Sequence, residues 1–239
     1  MSRARALRPA QADQRPISVE TCLALARPLL PTQVALAATD PRAPQPAPWP
    51  EEAEALSRAR PERLREFAAG RTAARRAMSR LGVAPAAVLH GLDRAPIWPE
   101  GLVGSISHCS VACLAAAAQT AAFRAIGLDL EEDTPLELDL IPAVCTEAEE
   151  LWLNTLPEAE RGQLAKLIFS AKECAYKAQY PITGTLFGFQ TLEVTLDRDA
   201  GSFEARFLHD VAPFAAESCL RGQYAIGAGI IVTAMALPA

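Results

Sequence analysis

The sequence predicts an α+β fold in two lobes, 1–119 and 120–239. Helical periodicity precedes strand alternation in each half, the order expected of segregated helices and strands. A length of 239 residues suits one domain or two small lobes with a sizeable core. Half of the residues are hydrophobic and 21% are charged, the balance of a globular chain rather than a disordered one.

The elements follow in order. Residues 1–33 read as irregular, and Val34–Ala38 as a short strand. The run Asp40–Pro50 is too rich in proline to be helical. Glu51–Phe67 and Thr72–Leu81 carry helical patterns, with Gly70 as a break between them and Gly82 closing the second. After a proline-punctuated loop to Gly101, strands are expected at Val103–His108, Ala112–Ala118 and Ile126–Glu131, with a turn near Thr120. Glu147–Leu153 and Glu158–Gln179 read as helices, the second stopping before Pro181. Thr191–Leu196 and Ser202–Leu208 flank a turn at Asp197–Gly201 as a hairpin, and Tyr224–Leu237 supplies the last strands.

The net charge of −5 gives no support to wholesale nucleic-acid binding, but the charge is unevenly placed. Residues 58–80 hold Arg58, Arg60, Arg63, Arg65, Arg71, Arg75, Arg76 and Arg80 against Glu62 and Glu66, whereas acids gather from Glu131 to Glu160. That asymmetry fits a polyanion held partly by arginine and partly through a metal. The six cysteines form no CxxC pair, and His108 with Cys109 and Cys113 matches zinc frames poorly. Reduced thiols in a cytoplasmic protein are the expectation. The N-terminal stretch lacks the apolar region of a signal peptide. Val111–Ala118 and Ala225–Leu237 are too short or too interrupted by glycine to span a bilayer, so no membrane partner is expected.

Four stretches carry candidate chemistry. In AIGLDLEED, Asp129 and Glu131 are two apart on a strand and therefore share a face. Two carboxylates side by side raise each other's proton affinity, which a hard cation such as Mg²⁺ would relieve. The plainer reading is a strand running out into solvent. In FSAKECAYK, Glu173 and Lys177 are spaced to share a helix face, either as chemistry or as a solvated pair, while Lys172 projects elsewhere. Ser107 and His108 end a strand just after Arg94-Ala95-Pro96, where an imidazole is easily satisfied locally. Finally, a helix start after Gly70 would put Arg71 where backbone amides and a guanidinium favour phosphate; the alternative is a solvated basic face.

In combination, these stretches resemble the 4'-phosphopantetheinyl transferases of the enterobactin- and surfactin-type class. The resemblance covers Arg63 to Pro181, about half the chain, with looser similarity in the closing hairpin. Gly127-Leu-Asp129-Leu-Glu131 matches the family's G-[IVL]-D-x-E element, and Phe169 to Lys177 its [WF]-x-x-K-E-x-x-x-K element. The runs RAPIWPEG, GSISHC and REFAAGRTAARRAM look like the enterobactin-type subclass.

The resemblance implies a pseudo-dimeric fold of two lobes with coenzyme A between them. It implies Mg²⁺-dependent transfer of the phosphopantetheine arm to a serine of an apo acyl or peptidyl carrier protein, releasing adenosine 3',5'-bisphosphate. Asp129, Glu131 and Glu173 match the metal positions, and Glu173 also the position proposed as general base. Lys177 matches the phosphate-contacting lysine. Arg63, Arg71, Asp93, Arg94, Ala95, Pro96, Ser107, His108, Asp129 and Lys177 match coenzyme A contacts. Such enzymes serve siderophore or other secondary-metabolite biosynthesis, and a monomer is expected because the two lobes already form the cleft. A non-catalytic coenzyme A or carrier-binding module is the alternative, although it would not need all four of Asp129, Glu131, Glu173 and Lys177. Another phosphotransferase class lacks its signature here, because there is no GxxxxGK[ST] loop.

Overall fold

A computed structural model describes residues 17–53, 60–91 and 93–239. The fold is α+β. A three-stranded antiparallel sheet, in order β1-β5-β4, comprises β1 (Ala35–Thr39), β5 (Cys113–Gln119) and β4 (Leu102–His108). A five-stranded antiparallel sheet, in order β6-β10-β9-β8-β7, comprises β6 (Phe123–Glu132), β10 (Ile230–Pro238), β9 (Cys219–Gly227), β8 (Ser202–Phe207) and β7 (Leu192–Asp197). The short strands β2 (Leu89–His90) and β3 (Pro96–Ile97) form a separate ribbon.

Each sheet carries one long helix. On the first lies α3 (Pro61–Arg80), and on the second α6 (Glu158–Thr183). Small side chains make the first contact close: Ala73, Ala74 and Ala77 of α3 pack where Ala115 and Ala117 of β5 point. The opposite face is covered by α1 (Val19–Ala26), whose Cys22 and Ala26 join a core drawn from both sheets. Period-two alternation sorts β6 between these layers. Ile126, Leu128 and Leu130 enter the α1 core, leaving Ala125, Gly127, Asp129 and Glu131 on the α6 side. The shared face expected for Asp129 and Glu131 is therefore present, and it is turned inward rather than into solvent.

The sheets meet edge to edge, with β4 beside β6. Serine side chains make part of this join. The Leu128 and Leu130 amides donate to the Ser105 and Ser107 hydroxyls, both at 3.2 Å. Buried backbone amides at a sheet edge need partners, and here alternate serines supply them.

Several expectations need correction. Residues 17–33 are not irregular: Ser18 caps α1 through the Thr21 amide, and Arg27–Leu29 continue as a 3-10 turn. The helix expected over Glu51–Phe67 is replaced by α2 (Pro50–Ala53) and the start of α3, where Pro61 sits at the first turn; positions 54–59 of that expectation, like 1–16 of the irregular stretch, lie outside the described residues. Gly70 breaks nothing, because α3 passes through it and Arg71 lies mid-helix. What Gly70 provides is close approach: a Cβ there would stand 3.1 Å from Ile106 Cγ2. Helix α6 likewise runs through Pro181 to Thr183, and closes where Gly184 takes φ 61° and donates to the Tyr180 carbonyl. Two shorter helices, α4 (Ile141–Val144) and α5 (Glu147–Asn154), precede it, and Thr146 and Glu149 form a capping box on α5.

Gly127 is the tighter of the two glycine contacts. A Cβ added there would meet the Cys174 carbonyl at 2.2 Å, where α6 crosses β6. Gly127→Ala is expected to destabilise the protein by about 1–3 kcal/mol in urea unfolding, because backbone must shift. Gly70→Ala is expected to fall near neutral, since a side-chain methyl can move and the helix gains about 1 kcal/mol of propensity.

Candidate active site

The cleft where the two sheets join contains a cavity of about 280 Å³ with a basic side and an acidic side. Helix α3 contributes Arg63, Glu66, Phe67, Gly70 and Arg71, and α6 contributes Phe169, Glu173 and Lys177. Strand β4 adds Ile106, Ser107 and His108, β6 adds Asp129 and Glu131, and His90, Arg94 and Pro96 close one end. Ten of the residues expected from sequence thus meet on one wall system. Asp93 and Ala95 do not line it. Glu66, Phe67, His90 and Ile106 were not anticipated as site residues.

Asp129 is the hub. It is 2% exposed, and its Oδ1 accepts from Ser107 Oγ at 2.9 Å and from Lys177 Nζ at 2.6 Å. Its Oδ2 accepts from Ser170 Oγ at 2.8 Å, and Thr233 of β10 anchors that serine by donating to its carbonyl at 2.9 Å. Lys177 therefore pairs with Asp129 across the join, not with Glu173 one turn back on its own helix. Burial pulls the Lys177 ammonium down, but Asp129 and Glu173 outweigh it and hold the group above its ordinary value.

The other carboxylates are less satisfied. Glu131 is pushed up by burial and by Asp129, against the relief of a direct ion pair with Lys166. Glu173 is pushed up by burial first and further by Asp129 and Glu131, with Lys177 opposing. Among the described residues Glu173 makes no side-chain hydrogen bond or ion pair. It also lines a second cavity, of about 240 Å³, walled by Lys172, Tyr176, Phe187, Gly188, Phe189 and Leu192. An uncommitted carboxylate between a polar cavity and a largely aromatic one is free to take a proton.

The expected metal triad is not assembled as these side chains stand. Among the described residues no group of three His, Cys, Asp or Glu side chains converges to hold an ion. Lys166 and Lys177 supply the positive charge that Glu131 and Asp129 face. The donor set itself fits a hard divalent cation: three oxygen-bearing groups line one cavity, and mutual repulsion and burial raise the proton affinity of two of them.

The basic side shows a matching feature. Arg71 is 5% exposed, its guanidinium lies 4.2 Å over the Phe67 ring, and Nη2 donates to the Leu89 carbonyl at 3.2 Å. Its buried Nε has no hydrogen-bond partner among the described residues. Burial lowers its pKa to about 10, with Arg63 and Arg75 adding to the effect and Glu52 opposing it. An under-satisfied buried guanidinium facing a cavity calls for an anion. Below it, Arg75 is fixed by Glu52, Nη1 reaching both carboxylate oxygens at 2.8 and 2.7 Å. Arg63 donates to His108 Nε2 at 3.0 Å and to Glu66 at 3.3 Å. Burial and the nearby Arg63 and Lys177 charges lower the His108 pKa, against Glu66 and Asp129, which favours a neutral ring that accepts from Arg63.

Lys172 projects away from the main cavity, as its place beside Glu173 on the helix predicts. It does not project to the surface: it is 1% exposed, with Nζ donating to Glu149 Oε2 at 2.7 Å, the Val144 carbonyl at 2.8 Å and the Phe189 carbonyl at 3.0 Å.

A family model described as the 4'-phosphopantetheinyl transferase N-terminal domain matches residues 51–118, and one for the 4'-phosphopantetheinyl transferase superfamily matches residues 125–229. The 4'-phosphopantetheinyl transferase Svp of Streptomyces mobaraensis is 41% identical over 80% of this chain and 79% of its own. The 4'-phosphopantetheinyl transferase PptT of Mycobacterium tuberculosis is 34% identical over 80% and 86%. Enterobactin synthase component D of Escherichia coli K12 is 37% identical over 52% and 58%.

Proposed function

We propose a reaction for a chain that belongs to the 4'-phosphopantetheinyl transferase superfamily and is a transferase: it moves the phosphopantetheine arm of coenzyme A to a serine of an apo acyl or peptidyl carrier protein. One observation carries the reading. Arg63, Arg71 and Arg94 line the same cavity as Asp129, Glu131 and Glu173, with Lys177 bound to Asp129 between them, and Glu173 is free to act.

The bisphosphate end of the nucleotide is read as lying on the arginine side, with the 3'-phosphate on Arg71 and the pyrophosphate extending toward Lys177. Asp129, Glu131 and Glu173 would hold a Mg²⁺, which would supply charge neutralisation at the pyrophosphate. The serine oxygen bonds to the phosphorus that bears pantetheine, the bond to the bridging oxygen breaks, and adenosine 3',5'-bisphosphate leaves. Glu173 accepts the serine proton. Lys177, already oriented by Asp129 and Ser107, steadies charge on the phosphoryl oxygens. We read lobes 1–119 and 120–239 as a pseudo-dimer, supported by the matching placement of one long helix on each sheet and by family models that part between 118 and 125. Among the described residues no helix is long and apolar enough to cross a membrane.

Chromatography of the small-molecule products tests the reaction. Adenosine 3',5'-bisphosphate should appear only with apo carrier protein, coenzyme A and Mg²⁺ together; its absence with active carriers of several classes would contradict the reading. Arg71→Ala should raise KM for coenzyme A by roughly ten- to a hundredfold, the loss of a charge-assisted contact. The penalty should be much smaller for 3'-dephospho-coenzyme A. Equal penalties on both would move Arg71 to the pyrophosphate.

A further inference from the structure

Asp93 was expected to touch coenzyme A, yet it lies off the cavity wall and is engaged elsewhere. Its Oδ1 accepts from the Ala95 amide at 3.0 Å, and its Oδ2 accepts from the Tyr180 hydroxyl of α6. The carboxylate also rests against Gly91, where a Cβ would stand 2.3 Å from Oδ1. Between these contacts Arg94 takes φ 71°, a left-handed conformation that a non-glycine residue rarely adopts. The Arg94 amide donates to the Gly91 carbonyl at 2.9 Å, and the Gly91 amide donates to the Ala95 carbonyl at 2.9 Å. This tight turn sends Arg94 and Pro96 to the cavity wall. Its side-chain tie to the other half of the molecule is Tyr180, whose ring stacks on Tyr176 at 5.8 Å. Tyr176 in turn lines the aromatic cavity beside Glu173.

We propose that Asp93 and Tyr180 are positioning residues: they latch the turn at 93–96 to α6 and so set Arg94 and Pro96 against bound coenzyme A. Neither touches the reacting atoms. The latch rests on the reading that coenzyme A occupies the cavity lined by Arg71, Arg94 and Asp129. It acts on the coenzyme, because the elements it ties together are one wall of that cavity and the helix bearing Glu173 and Lys177. The hydrogen bond from Tyr180 also holds the Asp93 carboxyl below its usual range, so the carboxylate stays charged through the neutral region.

Calorimetric binding of coenzyme A and steady-state kinetics on wild type, Tyr180→Phe, Asp93→Ala, the double variant and Arg71→Ala provide the test. Tyr180→Phe should weaken coenzyme A binding by roughly three- to tenfold, a hydrogen bond to a charged group at an exposed site. Turnover at saturating coenzyme A and Tm should change little, a split that a general structural defect would not produce. The double variant should bind no worse than Asp93→Ala, since both substitutions break one contact. Arg71→Ala separates the two readings. If it weakens binding while Tyr180→Phe and Asp93→Ala leave it within about twofold, the latch is wrong and the cavity assignment stands. If none of the variants alters binding, both fall. Penalties that add in the double variant would also overturn the latch, since the two side chains would then act separately.

Discussion

Glu173→Gln should lower transfer by at least about a hundredfold, the usual contribution of a positioned general base, and should make the metal-free protein more stable at neutral pH. The second effect follows from the site's electrostatics, not from the chemistry. Burial and two neighbouring carboxylates raise the Glu173 pKa in the folded protein. Between the ordinary carboxylate value and that raised value the native state holds a proton the unfolded chain has released. Stability is therefore fully present below the ordinary value and is lost as pH rises through the window. Above it, the folded protein carries a carboxylate it would shed, and glutamine removes that penalty while keeping size. Thermal melts without Mg²⁺ should show the variant above wild type at pH about 7 and level with it at pH about 4, below which both carboxyl forms are neutral. Wild-type turnover would exclude Glu173 from the chemistry. A lower Tm at neutral pH would mean that the carboxylate stabilises the fold.

Lys172→Met should be the most damaging single change to stability, at about 3–5 kcal/mol, because it strands a buried carboxylate. Lys172 satisfies Glu149 and two backbone carbonyls from inside the molecule. Glu149 is equally committed: it accepts from the Thr146 amide at 2.6 Å and from the Val194 amide at 2.5 Å. Lysine thus ties α6 to the start of α5 and to β7, and fixes the helix turn that presents Glu173. Urea unfolding measures the loss. Removing Glu149 as well should recover little, since the two amides then lose their acceptor. A penalty under about 1 kcal/mol would place Lys172 among ordinary surface pairs.

The paired carboxylates of β6 were legible in the sequence because period-two alternation fixes which side chains share a face, whatever lies above them. Their surroundings were not. The pair reads as uncompensated, whereas Asp129 gathers three side-chain donors from β4 and α6, contacts separated by 22 to 48 residues. The Glu173–Lys177 spacing correctly places both on α6, but a local rule cannot see that Asp129 outcompetes Glu173 for the ammonium. Gly70 and Pro181 misled for the same reason: packing against Ile106 and closure at Gly184 override what these residues do to an isolated helix. Helix α1 offered a signal that was passed over, since Ser18 precedes Val19, Cys22, Leu23 and Ala26 at helical spacing. Lys172 offered none, because a lysine's burial depends on a carboxylate that only the fold brings to it.

Intact mass of an apo carrier protein after incubation with this chain, coenzyme A and Mg²⁺ tests the central claim most directly. The expected result is a gain equal to one phosphopantetheine arm, dependent on Mg²⁺, lost when the carrier's serine is replaced, and lost with Glu173→Gln. A stable complex with the carrier whose mass never changes, across fatty-acid, polyketide and peptide-synthetase carriers, would contradict it and leave a binding module.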